Sequence, residues 1–332
     1  MSTRTPPAAV SEVRTAVRRF LAAHRTGDAV AVACSGGADS LALAAATVHC
    51  GQRSGLAVHG LVVDHQLQPG SEQVAQTAAN TLRGLGATAV RVLDVTVGGP
   101  GGLEAAARRA RYTALRAAAP VGALVLLGHT LDDQAETVLL GLGRGSGPRS
   151  VAGMRELDPP WGRPLLGVRR TVTAAACAAL GLAPWADPHN GDPRFRRVRL
   201  RTEALPLLEN VLGGGVAEAL ARTAAHLQED LDLLEAQADT LLAAALEAST
   251  SADSTPADSA DSLEVAVLQA APAALRRRAL RRWLLDAGVP ELTDVHLRAA
   301  DDLVGRWSGQ GAVWLPGDVE VYRAHGRLLH SS

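Results

Sequence analysis

Two short segments concentrate residues that could do chemistry on phosphates and amines. The first is Ser35-Gly36-Gly37-Ala38-Asp39-Ser40, which follows the apolar run Ala29–Cys34 and opens a helix-like run. Two glycines let backbone N–H groups approach oxyanions closely. Ser35 and Ser40 add hydroxyl donors, and a helix N-terminus adds partial positive charge. Asp39 suits a phosphate site only if it meets a magnesium ion or positions the loop. A plain glycine turn capped by Asp39 or Ser40 would use the same residues, but six of them between strand and helix favour a phosphate cradle. The second segment is Gly128-His129-Thr130-Leu131-Asp132-Asp133-Gln134-Ala135-Glu136-Thr137. Asp132 and Glu136 stand four apart on a helix face, where a carboxylate pair can hold an ammonium, hold magnesium, or take a proton from an amine. The helix macrodipole alone accounts for Asp132 and Asp133, but not for His129 and Glu136 together.

Other segments carry supporting chemistry. Asp64 and His65 end the second apolar run, where adenosine contacts or a capped turn would be made. Glu104, Arg108 and Arg111 share a helix face beside Tyr112, a pattern that also serves as a solvated salt-bridged face. Arg144 lies among the glycines 143, 145 and 147. Five arginines stand between Arg194 and Arg201, with Arg197 and Arg201 four apart, and a second run is Arg276-Arg277-Arg278 with Arg281-Arg282. Both runs read as basic patches of the kind RNA binding needs.

Composition removes several classes. The 332 residues contain no lysine, so the 33 basic residues are all arginine. A Walker-A loop and Schiff-base chemistry on a protein lysine are excluded. A net charge of −1 excludes a wholly basic coat protein but not a local basic patch. Cys34, Cys50 and Cys177 offer no Cys-x-x-Cys spacing, so neither a disulfide framework nor a zinc site is expected, and the expected compartment is the cytoplasm. The N-terminus lacks a signal-peptide core. The uncharged stretch Thr171–Ala186 is too short, and too broken by Gly181 and Pro184, to span a bilayer.

The elements that must position these residues alternate. Ala29–Cys34, Leu56–Val63, Ala87–Val95 and Ala123–Gly128 read as strands; Asp39–Cys50, Ser71–Leu85, Leu103–Ala119 and Leu131–Leu142 read as helices. Such alternation predicts an α/β fold with a doubly wound, mostly parallel sheet. Ligands bind at the carboxyl ends of such strands, where the polar clusters after Cys34, Val63 and Leu127 fall. Thr171–Leu180 predicts a helix, Asp187–Arg201 a loop, and Gly215–Leu246 a long helix. The polar stretch 248–262 reads as a flexible linker. Residues 263–332 read as a small α+β domain, with helices at Pro272–Ala287 and Thr293–Trp307 and strands at Ala312–Leu315 and Val319–Tyr322. The expected layout is a catalytic domain over 1–214, a helical connector over 215–247, the linker, and a C-terminal domain over 263–332.

The loop Ser35–Ser40 resembles the SGGxDS loop of PP-loop ATP pyrophosphatases, which cleave ATP between the α- and β-phosphates. Within that superfamily the sequence is similar to the tRNA(Ile)-lysidine synthetases, through VDHxL at Val63–Leu67, ExxARxxRY at Glu104–Tyr112, GHTxDDQAET at Gly128–Thr137, LxRGSG at Leu142–Gly147, RPLL at Arg163–Leu166 and the segment from Asp187 to Arg201. Gln68, His189 and Val198 depart from the family pattern.

The resemblance implies a Rossmann-like PP-loop fold and an ATP-dependent ligation of lysine to a cytidine. ATP would bind at Ser35, Gly36, Gly37, Ala38, Asp39, Ser40, Asp64 and His65. The catalytic set would be Asp39, His129, Asp132, Asp133 and Glu136, with Asp39 toward Mg2+. Arg108, Arg111, Arg144, Arg197 and Arg201 would meet lysine or tRNA. Because Asp132 and Glu136 share one helix face, that pair is expected to orient the lysine amine. The implied partners are tRNA(Ile) with a CAU anticodon, free L-lysine and ATP, with no membrane, and a second copy of the chain as one alternative. A tRNA 2-thiolation enzyme shares the loop and part of the second motif, but it needs cysteine pairs. An RNA-binding protein with a decayed ATP site is opposed by the intactness of both motifs.

Overall fold

The computed structural model describes the chain except residues 1–5, 26, 67–69, 99–101, 146, 188–190, 250–261 and 332, and the side chains of residues 103 and 104. Gln68, Ser146, His189 and nearly all of the linker therefore lie outside the described residues, as does the side chain of Glu104. The chain divides into two compact units, residues 1–227 and 228–332. Among the described residues no helix is long and apolar enough to cross a membrane.

The first unit runs α1 (Ala8–His24), β1 (Ala29–Ala33), α2 (Ala38–Ser54), β2 (Ala57–Asp64), α3 (Ser71–Leu85), β3 (Ala89–Asp94), α4 (Gly102–Ala118), β4 (Val125–Leu126), α5 (Leu131–Arg144), α6 (Pro148–Val151), β5 (Leu157–Asp158), β6 (Trp161–Gly162), α7 (Arg170–Ala179), α8 (Arg196–Arg199), a π-helical turn Leu200–Ala204, α9 (Leu205–Leu212) and the start of α10 (Val216–Ser249). Its six-stranded sheet has the order β3-β2-β1-β4-β6-β5, parallel throughout except for β5 against β6. After β3 the chain returns to the other side of β1. The strand order thus reverses between β1 and β4, the crevice in which open α/β sheets bind ligands.

Burial explains the layering. In β1, Val30 and Val32 join the large cluster formed with α1, α2, α3 and α7, whereas Ala31 joins Leu115 of α4 on the opposite face, as a period of two requires. Helix α1 is an element that the sequence reading above does not assign. Its signal is present in the helical spacing of Val10, Val13, Val17, Phe20 and Leu21, all buried. Two further readings shift. The segment read as a loop up to Arg201 is already helical from Arg196. The fourth strand shrinks to two residues, although Leu124 and Leu127 each still make a ladder-like backbone bond.

The second unit continues from α10 into β7 (Leu263–Glu264), α11 (Val265–Gln269), α12 (Ala273–Asp286), α13 (Asp294–Gly305), β8 (Val313–Leu315), β9 (Val319–Ala324) and β10 (Arg327–Ser331). An antiparallel sheet of order β7-β10-β9-β8 packs with α12 and α13 around Leu280, Trp283, Leu303 and Val321.

Candidate active site

Helix α2 begins where the Ser35–Ser40 loop ends, with Gly37 at its N-cap. Gly36 holds φ at +86°, a conformation glycine adopts without strain, and its carbonyl accepts the Trp185 backbone N–H at 2.9 Å. Ser40 braces the loop from within: its hydroxyl donates to the Gly37 carbonyl at 2.9 Å and accepts the Ser35 N–H at 3.2 Å. Ser40 therefore shapes the cradle and, with Ser35, Gly37, Ala38 and Asp39, lines a cavity of about 580 Å³, a size usual for small-ligand sites.

The tip of β4 closes on this loop from the side. A Cβ on Gly128 would lie 3.0 Å from the Ser40 nitrogen and 3.1 Å from the Asp39 carbonyl carbon and oxygen, all backbone. Gly128→Ala therefore forces the loop away from β4. ATP turnover is expected to fall by at least about tenfold, against a stability loss of about 1–3 kcal/mol. Equal turnover in a steady-state AMP assay would contradict this.

Helix α5 starts with a capping box. The Thr130 N–H and hydroxyl both donate to Asp133 Oδ2 at 2.8 Å, and the Asp133 N–H returns to Thr130 Oγ1 at 3.4 Å. Asp133 thus spends one oxygen on its own helix. Its other oxygen accepts Arg170 Nη2 at 2.6 Å. Burial alone would raise the Asp133 pKa, but Arg170 and the Thr130 N–H more than offset it and hold the carboxyl below its usual range.

Arg170 is the residue that the sequence reading missed. Its guanidinium also reaches Asp39 Oδ2 at 3.4 Å and Glu136 Oε1 at 3.5 Å, and its backbone N–H donates to Asp132 Oδ2 at 2.8 Å. Asp39 is held on its other oxygen by the Thr173 hydroxyl. Burial raises the Asp39 pKa, with Thr173 and Arg170 opposing. One clue was legible. Arg169 and Arg170 open α7, and a cation at a helix N-terminus opposes the macrodipole, so it needs acids nearby. Trp185, which lines the cavity, was also passed over.

Glu136 sits in the site, but not as the face-pairing expectation had it. Its side chain is 1% exposed and accepts Arg201 Nε at 2.9 Å, with Arg170 at 3.5 Å and Arg197 at 3.6 Å. Both oxygens are committed to guanidiniums, so here Glu136 holds arginines in place. Asp132 pairs with Arg169 at 3.4 Å. Arg169 also meets Glu218 at 3.3 Å, so five carboxylates interleave with four arginines, leaving one negative charge in excess.

Three other lining groups carry unpartnered atoms. Arg111 lines the cavity with its Nε buried and without a hydrogen-bond partner, and Nδ1 of His65 and of His129 are likewise buried and unpartnered. Such atoms are costly unless a ligand completes them. Burial and the Arg111 charge push the His65 pKa down. His129 is pushed down to about 3. Burial is the largest cause; Asp133 pulls the other way, and Arg163, Arg111 and Arg108 act with burial. His129 is therefore a neutral imidazole at neutral pH. An unfolded histidine titrates near 6.5, so between pH 6.5 and about 3 the unfolded chain binds a proton that the native chain refuses. Native stability should fall with acidity there, by up to about 1.4 kcal/mol per pH unit. His129→Gln should flatten that slope in urea titrations between pH 4.5 and 7, and parallel curves would exclude it.

The remaining predicted residues are placed differently. Asp64 is buried and accepts the Gln66 N–H at 2.9 Å, shaping the turn that presents His65. Arg108 donates to the Tyr112 hydroxyl at 3.1 Å and stacks over its ring. Arg144 ends α5 and is not among the cavity's lining residues; Arg201 is. Both basic runs prove largely compensated: Arg194 pairs with Asp192 and Arg199 with Glu203, Arg276 and Arg277 close on Asp301, and Arg278 meets Glu235.

A family model described as a PP-loop domain matches residues 10–208, and one described as the TilS substrate binding domain matches residues 263–329. The tRNA(Ile)-lysidine synthase of Nocardia farcinica is 59% identical over 323 residues, covering 95% of this chain and 96% of that protein. The chain belongs to the tRNA(Ile)-lysidine synthase family. Another member, from Rhodococcus jostii, is 55% identical over 326 residues, covering 96% of this chain and 95% of its own. Among solved structures, the U34-tRNA thiolase NcsA from Methanococcus maripaludis, with its [4Fe-4S] cluster, superposes with a TM-score of 0.54 at 16% identity, covering 67% of this chain and 80% of that one. That likeness is one of fold. Cys34 and Cys177 are buried free thiols, and burial raises the pKa of each.

Proposed function

We infer that this chain is a tRNA(Ile)-lysidine synthase, joining free lysine to C2 of the wobble cytidine in the CAU anticodon at the expense of ATP. The observation that carries the reading is the loop Ser35–Ser40 set beside the α5 carboxylates at the β1/β4 switch point, in a chain of this family. The cytidine O2 attacks the α-phosphorus and pyrophosphate leaves. The lysine ε-amine then attacks C2, the C2–O bond to AMP breaks, and the amine gives up a proton.

The residues supply what these steps need. Backbone N–H groups of the loop and the start of α2 meet phosphate oxygens, and Arg111 and His65 extend that surface. Arg170 and Arg201 neutralise charge on the transferring phosphate. Asp132 and Asp133 draw the lysine ammonium and Asp132 accepts its proton, with the neutral His129 beside them, while Glu136 fixes Arg197 and Arg201. Among the described residues no group of three or more His, Cys, Asp or Glu side chains forms a metal cage. Mg2+ would thus be held by Asp39 together with nucleotide phosphates, a usual mode for this ion, where it would neutralise the leaving pyrophosphate. Residues 1–214 would hold the chemistry and 263–332 would bind tRNA. The direct test is incorporation of labelled lysine into tRNA with ATP and Mg2+. Label in tRNA(Ile) alone, with AMP formed in step, is the expected result. ATP cleavage to AMP without lysine transfer would move the assignment to another PP-loop reaction.

A further inference from the structure

The two arginine runs that stand out in the sequence are largely compensated by neighbouring acids, yet tRNA is a polyanion. Uncompensated arginines occur elsewhere. Helix α1 and the C-terminal end of α2 enclose a cleft of about 670 Å³, lined by Arg14 and Arg18 from α1, by Arg25 just past its end, and by His49, Cys50 and Arg53 from α2. Among the described residues, no Asp or Glu lines it. Arg25 is held by Asp28 at 3.2 Å and by the Gly27 and Ser54 carbonyls, and Arg53 leans on His49. Arg14 and Arg18 meet no carboxylate among the described residues; Arg18 reaches only the Thr15 hydroxyl, at 3.4 Å. The guanidiniums converge: Arg14 and Arg53 both depress the His49 pKa behind the larger effect of burial.

The cleft is remote from the chemistry. Its α2 residues, 49–54, lie about ten or more residues along the helix from the loop, so about 15–20 Å away. One nucleotide cannot fill both places. Arg14 and Arg18 stand about one turn apart on one face of α1, with Arg25 just past the helix end, a row suited to successive phosphates. Ser11, Thr15 and Ser54 place hydroxyls along the same cleft, and arginine, serine and threonine are usual donors to nucleic-acid backbones. We propose that the α1/α2 cleft is a second RNA-binding surface, which grips backbone phosphates of the tRNA away from the anticodon.

The proposal rests on the reaction inferred above, and its test separates the two. Binding of full-length tRNA would be measured over a range of salt for wild type, R14Q/R18Q and R14K/R18K, together with the KM for ATP. R14Q/R18Q should weaken tRNA binding by about tenfold or more and lower the slope of log affinity against log salt by about one to two, with the KM for ATP unchanged. R14K/R18K should keep most of the affinity, because the charges remain. Unaltered tRNA affinity and slope in R14Q/R18Q would overturn the proposal. So would a variant that loses only thermal stabilisation by inorganic phosphate, which would mark a free-anion site. Wild-type protein that binds tRNA but transfers no lysine would overturn the reaction instead, while the cleft would still be judged by its own variants.

Discussion

Replacing Arg170 by methionine is expected to lower kcat/KM for ATP by about 10²- to 10³-fold, the scale of losing one preorganised donor to a developing oxyanion. Arg170 is the hub of the site: it spans Asp39, Asp133 and Glu136, with its side chain only 25% exposed. Methionine keeps the length and removes the charge, so three carboxylates lose their shared cation. Breaking a largely buried pair from one side costs about 3 kcal/mol, and the urea midpoint should drop accordingly. The pH dependence has a definite sign. The folded Asp133 pKa lies below its usual value, so its ion pairing contributes fully above the unfolded value of about 3.9 and is lost as pH falls through the folded one. The gap between wild type and R170M should be widest at neutral pH and close below about pH 4. R170K should recover part of the activity, since it keeps the charge without the planar fork that serves several carboxylates at once. A gap that stayed constant down to pH 3 would remove Arg170 from its place as counter-ion. Unchanged ATP turnover in R170M would remove it from the chemistry.

That the hub escaped the sequence reading has a physical cause. Helical spacing shows which side chains share a face, so Asp132 and Glu136 could be placed together from a four-residue interval. It does not show which partners arrive from elsewhere. Arg170 is 131 residues from Asp39 and 34 from Glu136, and Arg201 is 65 from Glu136; these meetings are made by the sheet, not by local pattern. The same blindness made Arg276–Arg278 look like an open basic patch, because Asp301 and Glu235 come from other helices. Local signals did well where local physics decides. Helix α3 occupies Ser71–Leu85 and α5 begins at Leu131, as their patterns predict. The alternation of strand and helix was enough to put the three polar strand ends in one crevice. The short β5–β6 pair was not legible, since two-residue strands leave no period to read.

Asp39 should show the other large effect. Asp39→Asn is expected to cut tRNA-dependent AMP formation by about 10²- to 10³-fold while the protein stays folded. The asparagine oxygen can still accept the Thr173 hydroxyl, and the acid contributes only about 0.3–1 kcal/mol through its position in the first turn of α2. What the substitution removes is the negative charge beside the loop, so it reproduces the protonated acid. Burial already raises the Asp39 pKa, and the wild-type rate should therefore decline in acid at a pH above that of an ordinary aspartate. In D39N that limb should vanish along with most of the rate. Magnesium separates the two roles the residue could have. If Asp39 holds the ion with the nucleotide, D39N should need severalfold more Mg2+ for half-maximal turnover, and excess Mg2+ should restore part of the rate. If Asp39 serves only to hold Arg170 and Thr173, the Mg2+ requirement should stay where it is in wild type, and Thr173→Val should reproduce a good part of the D39N defect. A Mg2+ titration of the three proteins under one assay decides between them, because a metal contact changes the midpoint and a positioning contact changes only the plateau.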